Sequence, residues 1–175
     1  STEKAKAIED KEEEYANQLL GCECVADMLM AELEMWIFLK SENPNRAWDR
    51  LVDAQDSARR AAGAHDSFLH LEQQSERLLS IEKIVFPPQV FISSGLIVYE
   101  QECSICGEDY EYCPHLAGKP YMGEFCYIIC REAEPDHISV VDDPADKRCR
   151  VRKFSVEGGQ RDRMTWLVEP TENST

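Results

Sequence analysis

The sequence predicts an α+β protein, in which an N-terminal helical bundle is followed by a small antiparallel β domain that carries a zinc knuckle. Up to about residue 83, apolar residues recur at helical spacing, whereas later segments alternate β-branched and aromatic residues with turn residues. Three cysteines and a histidine fall within thirteen residues of the second part. We therefore expect a helical domain over 1–83, a zinc-binding β-rich domain over 84–170 and a flexible tail over 171–175.

Two helices are expected before residue 42. The first spans about 3–20 and the second about 23–41, and Gly21 weakens the continuity between them. The second helix carries large apolar residues on all its faces, so we expect it to lie at the centre of the bundle. One face carries Val25, Met28, Leu29, Leu33, Trp36 and Ile37, and the other faces carry Met30, Met35, Phe38 and Leu39.

Two further helices complete the predicted bundle. Pro44 suits the first turn of a third helix over 44–62, and Asn43 before it is a candidate cap. A fourth helix is expected over 67–82. The connections are short, which favours antiparallel neighbours.

The β-rich part begins after the Pro87–Pro88 pair. Residues 89–100 predict a strand, a Ser-Ser-Gly bend and another strand. Short turns such as the one at Gly158 and Gly159 favour antiparallel pairing. The remaining predicted strands are 124–132, 137–141, 147–156 and 164–168.

The chain is strongly acidic. Its formal net charge is −15, and both halves contribute to it. Because a phosphate backbone selects basic surfaces, this charge argues against direct nucleic-acid binding. Acidic helices could instead bind a basic protein partner or mimic a polyanion, and the simplest interpretation is solubility. No run of eighteen apolar residues occurs, so we expect no membrane partner.

Cysteine usage indicates a reducing compartment. Eight cysteines are many for 175 residues. An even number could form disulfides in a secreted protein, but no secretory signal is visible and the cysteines cluster instead of spreading. A metal site in a cytoplasmic protein fits this pattern better.

The stretch ECSICGEDYEYCPHLAG, residues 102–118, carries the predicted metal site. Cys103 and Cys106 have the C-x-x-C spacing of a zinc half-site, in a tight turn whose backbone amides can point at the thiolates. Cys113 and His115 are two residues apart, so both face the same side of an extended chain. These four residues predict a tetrahedral site for one zinc ion.

Two questions about this site stay open in the sequence. Cys126, Cys130 or His137 could replace Cys113 or His115 as a ligand, and free cysteines or a disulfide would need no metal at all. Four protein ligands leave no open position, and catalytic zinc keeps one, so we expect a structural ion. The chain has no nucleophile elbow, phosphate-binding glycine loop, dinucleotide fingerprint or H-E-x-x-H motif. We therefore predict no catalytic residue and no cofactor other than zinc, and a protein that is not an enzyme.

The wider pattern C-x-I-C-G…Y…C-x-H-x-x-G…Y-x-G-x-x-C resembles a knuckle of uncharacterised bacterial and phage-related proteins. The resemblance covers residues 101–130, and it implies a small zinc-stabilised element joined to a β-sheet without implying a reaction. Residues 137–146, HISVVDDPAD, resemble a strand and turn of phage prohead proteases over about ten positions. No Ser-His pair of this chain matches the active site of those proteases.

A basic segment stands out in the acidic chain. On a strand, Arg148, Arg150 and Arg152 would share one face and could bind a phosphate or the acidic groups of a partner. The preferred interpretation is internal pairing with Asp142, Asp143 and Asp146, because charges of the same chain are the nearest partners.

Three functions remain compatible with these features. We favour a non-enzymatic, zinc-stabilised interaction module that acts as an accessory, adaptor or inhibitor subunit of a larger bacterial or phage assembly. Its protein partner would bind the acidic helices or the arginine stripe. The alternatives are a diverged phage-type protease or other hydrolase, and an acidic DNA mimic that occupies a nucleic-acid-binding protein.

Overall fold

A computed structural model describes residues 2–170, and it has the predicted α+β organisation. The helices come first and small antiparallel sheets follow. The helices are α1 (Thr2–Glu9), α2 (Glu13–Lys40), α3 (Pro44–Ala64) and α4 (Glu72–Val85), with a 3-10 helix (Asp66–Leu71) before α4. The strands are β1 (Phe91–Cys103), β2 (Pro120–Tyr121), β3 (Glu124–Phe125), β4 (Ile128–Val141), β5 (Lys153–Val156), β6 (Gly159–Asp162) and β7 (Val168–Glu169). The predicted tail over 171–175 lies outside the described residues.

The first helix boundary differs from the prediction. The chain turns at Lys11, whose φ is 59°, and then runs as one helix through Gly21. Gly21 does not break the helix. It allows the Phe68 ring to approach closely, because a Cβ at position 21 would lie 2.2 Å from Cε2 of Phe68. The ring of Phe68 therefore packs directly on the backbone of α2, which a side chain at position 21 would prevent.

The prediction that α2 is central, with its apolar faces buried on all sides, is wrong in part. On the face that carries Val25 and Met28, Met28 is buried and Val25 is half-buried, but the large residues Leu29, Leu33, Trp36 and Ile37 are exposed. The face that packs on α3 is lined by smaller or flexible side chains instead: Cys24, Met28, Ala31 and Met35. It meets a row of buried alanines on α3, namely Ala47, Ala54, Ala58 and Ala61. Small residues on facing helices let the backbones approach closely, which decides the face that turns inward.

The third helix starts as predicted. Pro44 occupies its first turn, and the side chain of Asn43 accepts a hydrogen bond from the backbone N–H of Arg46 at 3.3 Å. Trp48 is almost fully buried and donates from Nε1 to the carbonyl oxygen of Lys147 at 2.9 Å. The edge of the Phe86 ring packs against Trp48, so this tryptophan joins the helices to the chain that follows α4.

A long two-stranded ribbon, formed by β1 and β4, dominates the second part. The strands pair antiparallel from Phe91↔Val141 to Cys103↔Ile128. The predicted bend is therefore a register shift after Gly95 within one strand, and the strands predicted at 124–132 and 137–141 continue into each other as β4. Gly95 is needed there, since an added Cβ would lie 2.4 Å from the His137 ring.

The last sheet is shorter than predicted. The hairpin of β5 and β6 turns at Glu157 and Gly158, one residue earlier than the predicted Gly158–Gly159 turn, and residues 147–152 are not part of a strand. Only Val168 and Glu169 pair as β7, because Trp166 adopts a left-handed φ of 61° and its N–H bonds back to Asp162. That turn interrupts the predicted strand over 164–168.

The helical and β-rich parts share their main core. Trp48, Leu51 and Met35 from the helices pack with Phe86 and Met164, and Phe91 lies against this cluster. The division into domains at residue 84 stays a prediction. None of the helices within residues 2–170 is long and apolar enough to cross a membrane.

Candidate metal centre

The candidate metal centre lies at the end of the ribbon, in the loop that joins its two strands. Cys103 is the last residue of β1, and the loop then carries Cys106, Cys113 and His115 before the short β2–β3 hairpin. The loop returns through Cys126, directly before β4 begins at Ile128. The ligand candidates are thus held by the same segment that closes the ribbon.

The four predicted ligands converge. One ligand atom of each of Cys103, Cys106, Cys113 and His115 lies within 4.8 Å of the corresponding atoms of the others. The Sγ of Cys103 is 3.7 Å from the Nδ1 of His115. A tetrahedral shell with zinc–sulfur bonds of about 2.3 Å and zinc–nitrogen bonds of about 2.0–2.1 Å has a sulfur–nitrogen edge of about 3.5 Å, so this separation is close to the edge of such a shell. The group could therefore hold a metal ion.

The C-x-x-C half of the centre is a tight turn. The N–H of Gly107 bonds to the carbonyl oxygen of Cys103 at 2.8 Å, which closes the turn. The N–H of Ile105 then points at the Sγ of Cys103, at 3.4 Å. An amide that donates to the sulfur stabilises a thiolate there, which is the arrangement predicted from the spacing.

Two tyrosines brace the C-x-H half. The hydroxyl of Tyr121 accepts from the N–H of Leu116, and the hydroxyl of Tyr110 accepts from the N–H of Ala117, both at 2.9 Å. The edge of the Tyr121 ring also packs against the His115 imidazole, with 4.6 Å between centroids. These contacts fix the turn that presents His115, as outer-shell partners commonly do at metal sites.

The thiols of the cluster do not ionise equally. Burial opposes ionisation of Cys103, yet the hydrogen bonds from the amides of Cys106 and Ile105 and from the neighbouring thiols lower its pKa to about 6. Burial and the Cys103 sulfur raise the pKa of Cys113 to about 11. The same two causes raise the pKa of Cys126. Of these three thiols, Cys103 is therefore the first to ionise as the pH rises, and a bound cation would favour ionisation of the others.

Among the rival ligands, only Cys126 approaches the group. Its Sγ is buried and lies 3.6 Å from that of Cys103, although it does not belong to the convergent set. Cys130 is exposed on β4. His137 pairs with Gly95, eight residues before Cys103, which places it about 27 Å along the strand at roughly 3.4 Å per residue. His137 bonds to Asp136 there instead.

The sequence did not reveal how the metal loop docks on the helices. Phe125 is buried among Leu20, Cys24 and Ala61, and the guanidinium of Arg60 lies 5.0 Å from its ring centroid. The side chain of Asn17 accepts from the N–H of Gly123 at 2.8 Å. Asn17 lies within a predicted helix next to the apolar Ala16, and this was the available signal, because an asparagine that becomes buried needs a hydrogen-bond partner.

The arginine stripe is paired within the chain. Arg148 bonds to Asp53 at 2.5 Å and to Asp146 at 2.8 Å. Arg152 lies 3.6 Å from Asp49. Internal pairing was the preferred interpretation, but α3 supplies most of the acidic partners, because residues 147–152 run beside that helix instead of forming a strand.

Arg150 is the most enclosed member of that stripe. It is buried over the Trp48 ring and donates to Asn45 at 2.7 Å. Burial lowers the pKa of this guanidinium. Arg150 therefore serves the interior of the protein, and a surface ligand could not reach it without rearrangement.

Comparison of the chain with models of protein families, with curated proteins and with solved structures gives no match. The resemblance of residues 101–130 to the bacterial and phage-related knuckle therefore stays a prediction. The functional argument rests on the geometry of the chain itself.

Proposed function

We propose that this chain is a protein-interaction module in which structural zinc holds the β1–β4 ribbon in a binding-competent shape. The observation that carries the proposal is the ribbon, whose strands extend over thirteen and fourteen residues, with β4 exposed along most of its length and β1 mostly half-buried. Such a module fits an accessory, adaptor or inhibitor subunit of a larger bacterial or phage assembly.

The ribbon exposes large apolar side chains that a partner could contact. Tyr99, Ile138 and Val140 are among its large apolar side chains, and each is more than half exposed. Within the described residues, the outer edge of β1 is already bridged at Phe91 and Glu102, to Arg150 and Asp109, whereas β4 pairs only with β1, so its outer edge presents unpaired backbone groups. An extended peptide or strand of a partner could pair with such an edge while the apolar side chains supply specificity.

Zinc is the ion that the donor set favours. Three sulfurs and one imidazole nitrogen are soft ligands, and four protein ligands complete a tetrahedral shell. A two-stranded ribbon is marginally stable in isolation. An ion in the loop at one end, together with the packing of Phe91 against Trp48 at the other, would hold both ends in place.

The hydrolase alternative would have to use Cys103 and His115, whose 3.7 Å contact is a cysteine–histidine pair. Cys103 is fully buried, however, and its sulfur is surrounded by those of Cys113 and Cys126. A nucleophile needs access to substrate, so this burial favours a metal ligand over a catalytic thiol. The hydrolase and the DNA mimic stay predictions.

Metal analysis of the full chain tests the zinc part of the proposal. We expect one zinc per chain in the wild-type protein and loss of that zinc in Cys106→Ser. Cys149→Ser is the matched control, because Cys149 is also exposed but belongs to no ligand group in the described residues. A zinc-free wild-type protein, or equal zinc in the two variants, would contradict the proposed site.

The binding part needs a separate comparison. Ile138 on the ribbon and Ile84 on α4 are exposed to similar extents, 77% and 82%, so serine at either position removes a similar apolar surface. Affinity capture with the zinc-loaded chain, read by quantitative mass spectrometry, should recover a protein partner with wild type and Ile84→Ser. The amount of partner that Ile138→Ser captures should be at least tenfold lower than the amount that wild type captures. Equal capture by the two variants would exclude the ribbon as the binding element.

A further inference from the structure

One face of α2 remains apolar although it points away from the core. Leu33 lies at its centre, diametrically opposite the side that packs on α3. We call the five large residues of this face the α2 stripe. They are Leu29 (50% exposed), Met30 (60%), Leu33 (64%), Trp36 (43%) and Ile37 (63%).

The α2 stripe has the spacing of a helix–helix interface. Leu29, Leu33 and Trp36 follow each other at intervals of four and three residues, which is the alternation of a heptad seam. A helix that is apolar on all sides is normally buried on all sides. The structure buries only the side of α2 that faces α3, so the other side is suited to a second helix.

We propose that the α2 stripe is a homodimer interface, in which α2 of one copy packs antiparallel on α2 of a second copy. A two-fold axis near Leu33 would pair this residue with itself and place Ile37 of each copy against Leu29 of the other. Such an interface is self-complementary, because the same patch serves both copies. The inference uses a different surface from the ribbon and does not depend on zinc.

The area of the stripe reaches the lower limit for a dimer. The five large apolar side chains together offer roughly 500 Å² per copy and about 1,000 Å² in a pair, which is the threshold for a specific interface.

Charge at the C-terminal end of the stripe favours one orientation. Lys40 lies seven residues after Leu33 and therefore projects from the same side of α2. It is exposed, and no ion pair within the described residues uses it. A parallel dimer would set the two Lys40 ammonium groups side by side, whereas an antiparallel dimer places them at opposite ends of the interface.

Sedimentation velocity of the full chain over a concentration series tests the dimer. We expect a reversible dimer for wild type and a dissociation constant raised by roughly ten- to a hundredfold in Leu33→Glu, because one central leucine per copy is lost. Leu167→Glu is the matched control, since Leu167 is 67% exposed and lies outside the stripe. Circular dichroism should show the same helix content in all three proteins.

Removal of the Lys40 charge tests the orientation independently. Lys40→Ala should leave the dissociation constant of an antiparallel dimer within about twofold of wild type, because the two ammonium groups lie far apart in that arrangement. A monomeric wild type at all concentrations would overturn the inference, as would equal dimerisation of the Leu33 and Leu167 variants. A dimer that becomes about tenfold tighter in Lys40→Ala would overturn the antiparallel arrangement, because only a parallel dimer sets the two ammonium groups together.

Discussion

Substitution of Gly21 by alanine should destabilise the protein, although alanine is the better helix former. In a helix interior, alanine is more favourable than glycine by about 1 kcal/mol. At this position the added Cβ would lie 2.2 Å and 2.4 Å from two carbons of the Phe68 ring. Favourable carbon–carbon contacts begin near 3.5 Å, so the ring would have to move by more than about 1 Å.

The net effect follows from the two opposing terms. Overpacking of this kind costs about 1–3 kcal/mol, which exceeds the gain in helix propensity, so Gly21→Ala should lower the free energy of unfolding by up to about 2 kcal/mol. Phe68→Ala removes the obstacle. In that background, Gly21→Ala should instead raise the free energy of unfolding by about 1 kcal/mol.

Urea unfolding followed by circular dichroism measures these changes. Gly63→Ala is the internal control, because Gly63 also lies in a helix and an added Cβ would meet nothing within 4 Å. It should stabilise the chain by about 0.5–1 kcal/mol. If Gly21→Ala is as stabilising as Gly63→Ala, or if Phe68→Ala leaves the effect of Gly21→Ala unchanged, the close-approach explanation of Gly21 is wrong.

Three further predictions concern charge, packing and ligand choice. Glu32 accepts two hydrogen bonds from Arg77, which lower the pKa of this carboxyl below its ordinary 4.5. The stabilisation from this ion pair is therefore present above pH 4.5 and is lost as the pH falls through the lower pKa that Glu32 has in the folded state. Glu32→Gln should lower the free energy of unfolding by about 1–2 kcal/mol at pH 7, a modest value because Arg77 is half exposed. This difference from wild type should shrink when unfolding is measured in acid. Phe125→Ala should cost about 3–4 kcal/mol in urea unfolding, because it empties a buried site, whereas Phe125→Leu should cost less than half of that. Cys126→Ser should keep one zinc per chain in metal analysis and Cys113→Ser should lose it; the opposite result would place Cys126 in the shell instead of Cys113.

The sequence was sufficient where a local pattern determines the structure. The C-x-x-C turn and the extended C-x-H step place their side chains within one short loop, so Cys103, Cys106, Cys113 and His115 could be grouped without knowing the fold. Pro44 and Asn43 likewise mark the start of a helix through contacts made within one turn.

The sequence was insufficient to predict the structure where a segment distant along the chain determines which residues are buried. Every side of α2 carries apolar residues, so periodicity could not select the buried one, and the alanines of α3 decide it through close helix packing. Gly21 and Gly95 look like helix and strand breakers in the sequence. Each instead accommodates a ring from elsewhere in the chain, Phe68 and His137 respectively.

The position of Phe125 decides how loss of the metal would affect the rest of the protein. This side chain comes from the metal loop, yet it fills the smaller core cluster beside Leu20 and Ala61. The larger cluster around Trp48 receives nothing from that loop. If the loop binds a metal ion, loss of that ion would loosen Phe125 and the smaller cluster, while the Trp48 cluster would keep its packing. Such binding would therefore be coupled to the end of the bundle where Phe125 docks, and less to the end that anchors Phe91.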